Sequence, residues 1–204
     1  MKKLILLLFI PLLSFGQGDF RKMNWGDSVE DLKKAYPEVK LELKQKSLLD
    51  PRYSEEEIDV HWYTHQGKII GIDTEITYLF QDNKLIAGIY FLDPQKTGRY
   101  LISERFIDFI NISRELKDKE KIFWQMGKNT EDMIISLWVL GFYYGDDGFR
   151  YDGFVSSIDK AIIGNTRILH FFGEHSGMMN LKREKSVLQH TLVYSSNEWA
   201  ELMK

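Results

Sequence analysis

The chain has 204 residues, 44% of them hydrophobic and 14% aromatic, which is material enough for one sizeable core. Its 27 Lys and Arg stand against 30 Asp and Glu, a formal charge of −3. The basic runs at 40–46 and 182–185 are interleaved with Glu or lie in a loop, without aromatic residues spaced to stack bases, which argues against nucleic acid as a partner. There is no cysteine, so disulfides and a lipid-modified N-terminal cysteine are excluded and any core must hold by packing alone.

Lys2 and Lys3 precede an apolar run from Leu4 to Leu13, and Ser14-Phe15-Gly16 places small residues at the −3 and −1 positions of a cleavage site before Gln17. This is the pattern of a secretory signal peptide over residues 1–16. The run is about half the roughly 20 residues needed to span a bilayer. The expectation is an exported soluble chain, periplasmic or secreted, with a single domain over residues 17–204.

Asp27 is placed to cap a short helix, with Glu30 at capping-box spacing, Pro37 as its stop and Val29, Leu32 and Tyr36 on one apolar face. Residues 38–57 are charged and irregular, with a turn at Asp50-Pro51, and read as a poorly packed connection. From Glu57 to Thr64, Ile58, Val60 and Trp62 alternate with Asp59, His61 and Tyr63, which predicts a strand turned by Gln66-Gly67 toward Ile69. Ile72 to Leu92 reads as a hairpin about a type I′ turn at Asp82-Asn83. Uninterrupted pairing would set Phe80 against Leu85, Tyr78 against Ala87, Ile76 against Ile89 and Thr74 against Phe91, all on one dry face. The other face, with Asp73, Glu75, Thr77, Gly88 and Tyr90, would then be partly wet.

Asp93-Pro94 ends that sheet region. Tyr100 to Lys119 has helical spacing, with Ile102, Phe106, Phe109, Ile110 and Leu116 on a stripe suited to cover the hairpin's dry face. Residues 131–140 are apolar nearly all round and fit a buried helix or a buried strand. A loop at 145–153 is followed by two expected strands, Ala161–Phe172 and Val187–Tyr194, and by a closing helix where Ser195 and Glu198 have capping-box spacing. Residues 20–94 and 99–196 thus share one order, a helical segment and then an antiparallel pair. The expected fold class is α+β, an antiparallel sheet from two helix-plus-hairpin units with helices packed on one face.

The opening Trp25-Gly26-Asp27-Ser28-Val29-Glu30-Asp31-Leu32 before a short helix and a meander resembles the tandem helix-plus-hairpin units of the β-lactamase-inhibitor-protein-like fold. It is also similar to small outer-membrane assembly lipoproteins of the SmpA/OmlA type. Those families carry disulfides or a lipidated cysteine, and this chain carries neither. The resemblance implies a non-catalytic envelope protein that works through its sheet surface.

Several residue sets bear on chemistry. Gly26-Asp27-Ser28-Val29 has the form of the nucleophile block of GDS-type lipases and esterases, but those place Asp-x-x-His near the C-terminus and no such spacing occurs here, so a helix cap explains the block. His61 and His65 are four apart on a strand and its turn, which does not make the helical Zn²⁺ pair, although His61 with Asp59 and Glu57 forms a candidate surface metal set. Asp146, Asp147 and Asp152, flanked by Gly145, Gly148 and Gly153, are candidate metal ligands, and carboxylates on a glycine-rich loop suit Ca²⁺; a turn explains the same residues and requires no cofactor. His170 and His190 lie on the second expected hairpin and form the acid/base pair of an alternative hydrolase-type enzyme, provided that they line a cleft. The favoured expectation is a binding module with an envelope or secreted protein as partner, touching it through Trp62, Tyr63 and Tyr90 on the outward sheet face and through the 145–153 loop. A structural protein of the envelope is the third alternative.

Overall fold

The computed structural model describes residues 18–50, 53–92, 102–120, 122–126, 153–175 and 187–202; residues 1–17, with the expected signal peptide, the 131–140 segment and the expected loop at 145–152 lie outside them. In chain order the elements are α1 (Val29–Ala35), β1 (Glu42–Asp50), β2 (Tyr53–Ile69), β3 (Ile72–Gln81), β4 (Lys84–Leu92), α2 (Ile102–Glu120), β5 (Gln125–Met126), β6 (Gly153–Ile163), β7 (Thr166–His175), β8 (Val187–Ser196) and α3 (Asn197–Leu202). The eight strands form one open antiparallel sheet in the order β1-β2-β3-β4-β8-β7-β6-β5. The fold class is α+β. Among the described elements each half supplies a helix and then four strands, and the last strand of each half meets the other at the centre, Ile89 opposite Val193.

Asp82 and Asn83 take φ of 51° and 59°, as a type I′ turn requires, and Phe80 pairs with Leu85. A bulge then shifts the register by one. Leu79 pairs with Ala87, Tyr78 with Gly88, Ile76 with Tyr90 and Thr74 with Leu92. The expected eight-residue face is therefore split between the two sides of the sheet, because one extra residue, Ile86, sends every later side chain to the opposite face. Both faces are dry at the centre: Ile76, Tyr78, Phe80 and Tyr90 are buried on the first, Thr77, Ala87, Ile89 and Phe91 on the second.

The first face carries a core of Ile76, Tyr78, Phe80, Tyr90, Ile168, Leu192 and Tyr194, joined by Val29 and Leu32 of α1 and Ile112 and Leu116 of α2. The second gathers Val60, Trp62, Leu79, Ile89, Phe91, Leu169, Phe171 and Val193, with Trp199 of α3 packed among them. The helices thus do not share one face. Nor is the β3–β4 hairpin the main seat of α2; among the described residues its main contacts are with β7 and β8.

Residues 42–50 and 53–57, expected within an irregular connection, are strand: β1 and the start of β2. The turn after β2 falls at Ile70-Gly71 (φ 51° and 81°) instead of Gln66-Gly67. Gly67 stays in the strand, where a Cβ would run into the Ile76 side chain. The expected Ala161–Phe172 strand is two strands joined at Gly164, whose φ is 56°.

Both short-helix caps fall one residue later than their spacing suggests. Ser28 caps α1, its Oγ accepting from Asp31 N while Asp31 Oδ2 accepts from Ser28 N, each at 3.2 Å. Asp27 instead accepts from Asn24 N at 2.7 Å. Ser196 Oγ accepts from Trp199 N at 3.0 Å at the start of α3.

The stretch before α1 is pinned to both halves. Gly26 N donates to Leu85 O and Leu85 N to Asp27 O, both at 2.9 Å. Val29 N donates to Asn83 Oδ1 of the hairpin turn at 3.2 Å, and Trp25 Nε1 donates to Thr166 Oγ1 of β7 at 2.9 Å.

Candidate functional site

Phe20 and Met23 exchange backbone hydrogen bonds at 3.0 and 3.1 Å, closing a tight turn over the seam between β4 and β8. The Phe20 ring packs on Tyr78, Tyr90 and Tyr194, with centroids 5.4, 5.1 and 5.4 Å away. Gly88 makes room for it, since a Cβ there would overlap the Phe20 ring. The turn leaves Arg21 with φ of 60°, a left-handed conformation that favours glycine.

Beside this turn is a cavity of 330 Å³, lined by Gly18, Asp19, Arg21, Lys22, Phe20 and the tyrosines Tyr36, Tyr90 and Tyr194. Tyr36 follows α1, Tyr90 is on β4 and Tyr194 on β8, so both halves of the sheet build the wall. Arg21 Cζ lies 5.9 Å from the Tyr90 ring centroid and Lys22 Nζ lies 5.1 Å from that of Tyr36. Burial works against the charge on Arg21, but Tyr90, Tyr36 and Tyr78 outweigh it and hold the guanidinium above its ordinary range, fully charged. Burial first, and then Tyr36, pushes the Tyr78 phenol far up, so it stays neutral.

The three expected contact residues do not form one outward surface. Trp62, 2% exposed, is in the core of the second face. Tyr63 is half-buried on the first face, its ring edge-on to Phe80 at 5.7 Å. Tyr90, 7% exposed, is the one of the three that reaches the cavity. Asp146, Asp147 and Asp152 lie outside the described residues. Among the described residues, no three His, Asp or Glu side chains gather as a metal site. His65 stacks on Tyr78, with its Nδ1 donating to Gln66 O at 2.9 Å; burial holds it below the ordinary histidine range.

His170 and His190 do come together, hydrogen-bonded through their Nε2 atoms, but both are enclosed at 0% and 1% exposure. Ser113 of α2 donates to Asp159 Oδ2 at 3.0 Å, and its Oγ lies 2.8 Å from His170 Nδ1. Because the hydroxyl proton goes to the carboxylate, His170 Nδ1–H donates to Ser113 Oγ, and His170 Nε2 accepts from His190. Phe109 stacks on His170 at 4.1 Å, and Trp124 Nε1 donates to Ser113 O at 2.9 Å. A triad needs the imidazole placed to take the serine proton, with a carboxylate behind the imidazole. Here the serine sits between carboxylate and imidazole, in a closed interior, and the relay fastens α2 to the sheet.

Among the described residues no helix is long and apolar enough to cross a membrane. No protein-family model, curated protein or solved structure matches the chain.

Proposed function

We propose that the chain is an exported, non-catalytic binding module of the bacterial envelope or the secreted space, and that its contact site is the cavity over the β4/β8 seam. The observation that carries this is the cavity itself: concave, walled by both halves of the sheet, and lined by two cations and three tyrosines, of which Tyr90 and Tyr194 belong to the central strand pair. Binding sites are typically concave with a few fixed polar groups that orient the ligand, and here Arg21 and Lys22 stand beside tyrosine rings in a wall of mixed polarity. The imidazoles that an enzyme would use are enclosed and committed to Ser113 and to each other.

A thermal-shift screen of the purified chain against acidic, neutral and basic small molecules, followed by amide chemical-shift mapping of the hits, tests this. The expected outcome is stabilising compounds whose largest shifts fall on Gly18–Lys22, Tyr36, Tyr90 and Tyr194. Hits that map consistently elsewhere, or turnover of a hit compound, would remove the reading.

A further inference from the structure

Resting on that site, we infer that the cavity receives the carboxylate of a small organic acid, with Arg21 as its anchor and the tyrosine rings beside its carbon body. Arg21 makes no ion pair with any carboxylate among the described residues: its side chain is hydrogen-bonded to Tyr36 and Tyr90, and its Nε is buried with no hydrogen-bond partner among them. Among the described residues Lys22 Nζ has the Ala35 carbonyl, at 3.3 Å, and the Tyr36 ring as partners. One carboxylate, Asp19, is in the lining, and its Oδ2 is engaged by Trp25 N at 2.9 Å. The wall is therefore cationic in a chain that is acidic as a whole. A positive charge set against tyrosine rings gains most from a ligand that brings its own negative charge.

Three features narrow the ligand. The planar fork of a guanidinium matches a carboxylate. Tyr36, Tyr90 and Tyr194 line the rest with rings that bear hydroxyls, a mixed wall that takes an organic body carrying polar groups. The 330 Å³ volume admits a molecule of single-ring size and lies near the lower limit, about 300 Å³, for small-molecule pockets. The backbone bears on the same point: a left-handed φ strains an L residue, and this turn sets a long cationic side chain where glycine would be unstrained.

The test is calorimetric titration of the intact chain with benzoate, benzamide, benzylamine and inorganic phosphate, repeated on Arg21→Met and on Arg21→Gly, which removes the side chain while relieving the turn. Lys68→Met, a surface lysine paired with Asp73, is the control. The expected result is benzoate binding, weakened about tenfold or more by either Arg21 substitution and by the change to benzamide, with no heat from benzylamine and no effect of Lys68→Met. Benzamide binding as well as benzoate, or undiminished benzoate affinity in the Arg21 variants, would overturn the carboxylate assignment while leaving a ligand cavity. Phosphate binding more tightly than benzoate would overturn it in favour of an inorganic oxyanion. Absence of heat from all four probes would overturn both the assignment and the cavity as contact site.

Discussion

His170 and His190 face each other inside the protein, where adding a proton to either imidazole would bury a charge. Burial first, and then the neighbouring His190, holds His170 well below the ordinary histidine pKa of 6.5. The sign follows from which state takes up protons. Below pH 6.5 the unfolded chain protonates His170 and the folded chain does not, so this contribution to stability is complete above that pH and is lost on acidification. Asp159 acts in the opposite sense, because burial raises its pKa above 3.8, so the folded state takes the proton first and gains as pH falls toward that value. The urea midpoint is accordingly expected to be lower at pH 5 than at pH 7.5, and His170→Leu/His190→Leu should flatten much of that difference, with His65 supplying a remainder. An unchanged pH dependence in the double variant would contradict the neutral pair. The two histidines were legible in the sequence as residues of one hairpin. Their partners were not: Ser113 showed only as a polar residue beside the apolar stripe of α2, and Asp159 belongs to a strand whose start the alternation did not mark.

At the scale of elements, β4 is shaped by one extra residue and one missing side chain. The Ile86 bulge turns Tyr90 toward Phe20 and the cavity, and Gly88 gives the Phe20 ring its place against the strand. Gly88→Ala should displace that ring and lower stability by about 1–3 kcal/mol, the usual cost of overpacking, with a matching fall in Tm. An unchanged Tm would mean that the N-terminal turn does not pack on β4. The type I′ turn was readable from Asp82-Asn83 because its positive φ angles demand particular residues. The bulge was not readable, since an added apolar residue in an apolar run leaves no mark on the period. β1 was hidden for another reason: as an edge strand it carries Glu42, Lys44, Lys46 and Asp50, charges that guard an open edge against pairing but blur the alternation that announces a strand.

Across the whole molecule, the sheet reads the same outward from β4 and β8 in either direction, the order a duplicated unit of one helix and four strands would give. The repeated order of helix and strands was visible along the chain. That the two halves join through their last strands was not, because such a pairing depends on contacts about a hundred residues apart and no local pattern encodes them. Phe20 and Trp25 cross the same seam, touching Tyr194 and Thr166 of the second half. One core on each face, continuous across β4 and β8, implies one cooperative transition, so tryptophan fluorescence and far-UV circular dichroism should give coincident urea curves. Ile89→Asp, which sets an unpaired charge at the fully buried centre, should cost on the order of 3–5 kcal/mol and shift both curves together. Two separated transitions would show that the halves are independent.

The measurement that bears most directly on the binding site is the side-chain Nε–Hε resonance of Arg21 in a ¹⁵N-labelled sample, assigned by its loss in Arg21→Met and followed as benzoate is added. A saturable shift of that resonance, accompanied by the amides of Gly18–Lys22 and absent with benzamide, is the predicted result. A resonance that stays in place while benzoate shifts other parts of the protein, or shifts nothing, would contradict the account.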